Sequence, residues 1–313
     1  MTAALALLVG AVIAGWLIPV VLHRMDLSRR DPLLLIVAWL VSIAGVLFST
    51  VSGVVLLLLP GHGPGAPLLA AVHQCWSAIQ HGSPPRVEEI IGLLGVVLTV
   101  AFAARLVVVS VRGFRKRCRK RAESLEVLRF VARPTSDPSD ILWLAHDEPL
   151  AFSMAGRPGT VVATEGLTRH LDPGAVAAVL AHERAHLAGR HHLLVATADA
   201  VRATLPFVPL FRQAPRAIRD LVELAADVVA ARECGSRALR TALLGVTGHG
   251  APSTSLAMAQ DAVALRLARL RHGARPPGGL RRAVSCGLAG VTAAVLPLLT
   301  GTGLLLGIAL ITC

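Results

Sequence analysis

Two kinds of pattern alternate along the chain. Residues 1–22, 33–59, 90–111 and 283–313 are almost wholly apolar, and the only charged side chain among them is Arg105. Each stretch reaches the roughly 20 residues that cross a hydrocarbon core as a helix. The first lacks the basic start of a cleaved signal peptide and runs on to His23 and Arg24, so it reads as a span. Residues 112–282 are mixed. Leu125–Val131 and Ile141–Ala145 read as strands with a turn at Pro134, Asp137 and Pro138 between them, and Thr160–Thr164 is a short β-rich run. Asp172-Pro173 is a helix start, an N-cap followed by proline at the first helical position, for a helix running to Leu187 or Arg190. A second helix covers 218–233 with Gly235 as its stop, and a third runs from Ser255 to about Leu270. Residues 193–211 are apolar but hold Asp199, Arg202, Pro206 and Pro209. A fifth span there would put the flanking helices on opposite sides of the membrane, so an interfacial or partly re-entrant segment is expected.

Composition agrees with this division. The chain of 313 residues is 54% hydrophobic and 16% charged, with a mean hydropathy of +0.65. Disorder is excluded by such hydrophobicity, and a single soluble globule by so few charges. The fold expected is a mainly α membrane protein. It has four transmembrane helices (about 1–22, 33–59, 90–111 and 283–313), with an α+β domain at 112–282 between the third and fourth. The net charge is +12. Its arginines and lysines cluster at 24–30, at 112–121 and at 266–282, whereas the loop 60–89 has only Arg86. By the positive-inside rule the three clusters share the cytoplasmic side. Both termini and the loop 60–89 are then outside, in a multi-pass protein of the cell membrane. The excess charge is read as topology and lipid-headgroup contact, and no direct nucleic-acid binding is expected. Five scattered cysteines without a CxxC pair give no disulfide framework.

The chemistry concentrates in two strings. His182-Glu183-Arg184-Ala185-His186 is an HExxH motif on the predicted 172–190 helix. Spacing of four puts the imidazoles of His182 and His186 on one face, where they can grip one zinc ion while Glu183 reaches water beside it. Chance yields roughly 0.013 such strings in a chain of this composition. Glu223-Leu224-Ala225-Ala226-Asp227 again sets two acids at spacing four, on an otherwise apolar helix. Such carboxylates need partners. Glu223 suits a third zinc ligand, and Asp227 suits a carboxylate that orients a ligand imidazole.

HExxH followed by an ExxxD helix resembles the gluzincin pattern. Placed between a third and a fourth span, it is similar to the BlaR/MecR-type antirepressor metallopeptidases, and Pro149–Ser153 and Thr160–Thr164 resemble their approach to the motif. The resemblance implies a gluzincin-like zinc metalloendopeptidase with one zinc per chain. Its protein substrate would be a cytoplasmic repressor, of winged-helix type, cleaved in response to an external signal. The antibiotic receptors carry a penicillin-binding sensor after the fourth span. This sequence ends at Cys313, so β-lactam sensing is not expected. HtpX-like and CAAX-protease-like quality-control peptidases share the zinc pattern and are the alternative, and a non-catalytic zinc-binding receptor is a third reading. Glu183 is expected to act as general base and acid. The chain has no tyrosine to stabilise an oxyanion, which leaves His191, His192 and Arg232 as candidates. Val161, Val162 and Ala163 are candidates for an edge strand that binds substrate backbone.

Overall fold

The computed structural model describes residues 2–26, 30–58, 141–156, 159–250 and 256–272, with single positions and short runs between 94 and 123. Residues 1–22 and 33–59, expected as spans, form α1 (Thr2–His23) and α2 (Pro32–Leu58), packed against each other. Asp31 starts α2 by accepting from the Leu33 amide at 3.1 Å. Both helices are long and apolar enough to cross a membrane. Their outer faces leave Val12, Trp16 and Phe48 more than 60% exposed, with no charged side chain within either helix. Such an apolar face suits contact with acyl chains or with another apolar surface. Residues 104–116, at the end of the expected third span, are helical. Within the same span 94, 97, 98 and 100–102 are also helical; its other positions, the loop 60–89, the expected strand at Leu125–Val131 and the expected span at 283–313 lie outside the described residues.

The remaining elements are β1 (Ile141–Leu144), β2 (Ala151–Met154), β3 (Thr160–Thr164), α3 (Glu165–His170), α4 (Pro173–Ala188), α5 (His191–Thr204), α6 (Pro209–Cys234), α7 (Ser236–Gly250) and α8 (Leu256–His272). The sheet order is β1-β3-β2. β3 pairs parallel with β1 (Ile141 opposite Val161) and antiparallel with β2 (Ser153 opposite Val161). This corrects the expectation of an edge strand at Val161, Val162 and Ala163. These residues are at most 1% exposed, and both sides of their backbone already carry a strand. Four consecutive apolar or small residues without alternation suit a strand buried on both faces. An open edge among the described strands belongs instead to β2, which sequence reading passed over.

α4 begins as its sequence dictates. The Asp172 side chain accepts from the Ala175 amide at 2.9 Å, and Pro173 occupies the first turn, where no amide partner is needed. α6 starts nine residues before the expected 218, taking in a buried Pro215, and ends at Gly235, whose φ of +86° favours glycine. Residues 193–211 are two helices joined by the turn 205–208, where one apolar segment was expected.

Two hydrophobic cores result. One joins α1 and α2 to α5 and the first half of α6, through Ile18, Trp39, Phe211 and Ile218. The other joins the sheet to α3, α4, α7 and the end of α6, through Val161, Leu167, Ala178 and Ala230. α6 spans both, and its Glu223–Asp227 segment lies where one core gives way to the other.

Candidate metal centre

His182 and His186 lie one turn apart on α4, and Glu223 faces them from α6. His182 Nε2 is 3.1 Å from His186 Nε2 and 3.3 Å from Glu223 Oε2, while His186 Nε2 is 3.5 Å from Glu223 Oε1. One ligand atom from each residue can be chosen so that all three lie within 4.8 Å of one another. These separations test the donor set. A tetrahedral zinc with bonds of about 2.0–2.1 Å sets its ligand atoms about 3.3 Å apart; the two imidazole nitrogens at 3.1 Å and His182 Nε2 with Glu223 Oε2 at 3.3 Å lie near that value, while His186 Nε2 approaches the other carboxylate oxygen. The two imidazole nitrogens and the carboxylate are also a usual zinc donor set. The residues therefore fit a zinc ion.

The back of each imidazole is engaged as well. His182 Nδ1 lies 3.0 Å from Asp227 Oδ1, a close approach without hydrogen-bond alignment. His186 Nδ1 lies 3.0 Å from His191 Nδ1. His191 was expected as an oxyanion donor; its ring instead turns to the back of His186 and is buried. Two backbone features place it there. Arg190 adopts φ +48°, in the left-handed region, which turns the chain sharply from α4 into α5. At Gly189 any Cβ would run into the His191 ring. His192 and Arg232, the other oxyanion candidates, are exposed on α5 and α6.

A residue that sequence reading missed completes the site. Arg266, on α8, donates from Nε and Nη2 to the two carboxylate oxygens of Asp227, both at 2.6 Å, and its Nη1 lies 3.5 Å from Glu223 Oε2. Its place in the basic run before the expected last span made it look topological. Nothing in its spacing to either motif marks it, since 39 residues separate it from Asp227.

Charge and burial set the protonation of these groups. For His182, burial works downward, but Asp227 and then Glu223 outweigh it and the imidazolium is held up to about 9. Burial drives His186 down to about 4 despite Glu223, and lowers His191 as well. Burial also opposes charge on Asp227 and Glu223. The Arg266 pair holds Asp227 below its ordinary value, and His182 does so for Glu223. Glu183 departs from the other acids. Its burial raises the carboxyl above the usual range, against the pull of His182 and of hydrogen bonds from the Ser153 hydroxyl and amide on β2. An HExxH glutamate with a raised pKa, aimed at the edge strand, suits proton transfer.

No curated protein matches the chain, and no solved structure does. One family does match. Residues 116–244, which contain the sheet, α4 and the acidic segment of α6, are similar to peptidase family M48, a family of membrane-associated zinc metallopeptidases.

Proposed function

We propose that the protein is an integral-membrane zinc metalloendopeptidase that cleaves a cytoplasmic transcriptional repressor. The observation that carries the catalytic part is the convergence of His182, His186 and Glu223, each offering a ligand atom within 4.8 Å of the others, with Glu183 next to His182 in the chain. Zinc, when bound, supplies Lewis acidity to carbonyl and water alike. The rest is done by the chain. Asp227 faces the Nδ1–H of His182, and His191 accepts from the Nδ1–H of His186, so that each Nε2 lone pair points into the triangle. The lowered pKa of His191 keeps its ring neutral and able to accept. Glu183 takes a proton from the attacking water on a carboxylate oxygen and returns it to the leaving amine. Its raised pKa makes the carboxylate a stronger base for the first of these transfers. The open edge of β2, whose Ser153 already touches Glu183, offers backbone groups to an extended substrate.

Membrane attachment rests on α1 and α2. The arginine-rich segments at 24–30, 112–121 and 266–282 support a multi-pass chain with the peptidase unit in the cytoplasm. The deciding experiment compares new protein amino termini in cells expressing wild type or Glu183→Gln. One dominant Glu183-dependent cleavage, in a repressor, is expected. Many cleavages in misfolded membrane proteins would assign a quality-control peptidase instead. No Glu183-dependent cleavage would leave a zinc-binding receptor.

A further inference from the structure

The hairpin of α5 and α6 has an apolar tip. From Ala203 to Phe211 no side chain is charged, and Phe207 at the turn is 72% exposed. The tip does not rest against the peptidase core. It runs alongside α1, where Val208 Cγ1 would lie 3.0 Å from a Cβ placed on Gly15. Gly15 is eight residues before the end of α1, about 12 Å at 1.5 Å per residue. The hydrocarbon half-thickness of a bilayer is about 15 Å. A bilayer that holds α1 therefore holds the hairpin tip near its midplane.

The backbone of the tip is prepared for a medium without water. Pro206 and Pro209 remove two amide donors from the turn. The Thr204 hydroxyl donates to the Ala200 carbonyl at 2.8 Å, and the Leu205 amide donates to Val201 at 3.0 Å. The Ala203 carbonyl, at the end of α5, accepts from Arg105 Nη2 at 3.0 Å. Arg105 is the only charged side chain in the apolar stretch 90–111. An arginine at membrane depth needs such an acceptor, and a helix carboxyl end there needs such a donor. Arg202, Arg212 and Arg216 are exposed on the hairpin on the near side of the tip. They can run their stems along the apolar surface and reach for lipid phosphates.

We propose that the α5–α6 hairpin is re-entrant, with its tip in the acyl chains and Arg105 capping α5 within the membrane. Its two helices emerge carrying parts of the metal centre. α5 starts at His191, and α6 bears Glu223 one turn beyond Asp220, which is within electrostatic reach of His23 at the end of α1. The hairpin thus fixes the metal centre at the membrane surface. The proposal does not rest on the peptidase reading.

The test uses the full chain in lipid nanodiscs, with its five cysteines replaced by serine. A nitroxide is attached at Phe207→Cys, or at Arg240→Cys on the exposed side of α7. Collisions with oxygen and with a water-soluble nickel chelate are read by power saturation. Oxygen should dominate at 207 and nickel at 240. Arg105→Leu, which strips the Ala203 carbonyl of its donor, should restore nickel collisions at 207. Nickel access at 207 equal to that at 240 would overturn the proposal. Shielding of 207 from both reagents would also overturn it, since a protein surface would then cover the tip. Unchanged depth in Arg105→Leu would overturn the capping role.

Discussion

Replacing Arg266 by methionine tests the least expected part of the site. The guanidinium binds both oxygens of Asp227 at 2.6 Å, with 16% of the arginine side chain and 3% of the aspartate side chain exposed. Methionine fills similar space but leaves the carboxylate buried beside His182 alone. Removing one partner of a buried ion pair costs about 3–5 kcal/mol, because the other charge stays desolvated. At roughly 2–4 °C per kcal/mol, the thermal midpoint of the purified protein should fall by about 6–20 °C. Zinc affinity should fall too, by about 10–100-fold, because Asp227 loses the partner that fixes it behind His182. Circular dichroism melts and competition with a zinc chelator measure the two effects. The double variant Arg266→Met/Asp227→Asn removes the stranded charge yet keeps an oxygen facing His182 Nδ1. It should be more stable than Arg266→Met alone and should regain part of the zinc affinity. A midpoint for Arg266→Met equal to wild type would refute the reasoning, since α8 could not then be docked on Asp227.

Three further outcomes follow from the same geometry. Gly189→Ala should push the His191 ring off His186, and chelator competition should show zinc bound about 10–100-fold more weakly with the fold retained. Ser153→Ala removes a donor to the Glu183 carboxylate, so its already raised pKa should rise further and the acidic limb of the kcat/KM profile should move to higher pH; an unmoved limb would refute the contact. In the metal-free protein the pKa of His182 is raised to about 9, so the stability it contributes is complete below its ordinary value near 6.5 and is lost as pH rises through 9. Zinc must displace that proton, and calorimetry at pH 7.5 in buffers of different ionisation enthalpy should read release of about one proton per ion, with no release counting against the assignment.

Legibility in the sequence followed the range of the interactions. α4 could be read because its signals are local: an N-cap, a proline and two histidines four apart on one face. α1 and α2 were legible because length and the lack of charge mark a helix able to cross a membrane. The place of Thr160–Thr164 was not, because an edge strand and a central strand of five residues differ only in what pairs with them, and Ile141, opposite Val161 in β1, lies far from it in the chain. His191 was visible as a histidine near the motif, but its direction depends on the left-handed turn at Arg190, and arginine carries no sequence signal for that turn. Arg266 was hidden for a different reason. A basic residue before a span already has a sufficient explanation in topology, and only the three-dimensional path of α8 gives it a carboxylate. Arg269, three residues on, shows the same economy, for it donates to the Arg30 carbonyl between α1 and α2 at 2.7 Å. The arginines of α8 thus join the metal-site carboxylate to the connection between the first two helices. Basic residues whose clustering reads in the sequence as a topology signal thus also tie the helices of the fold together.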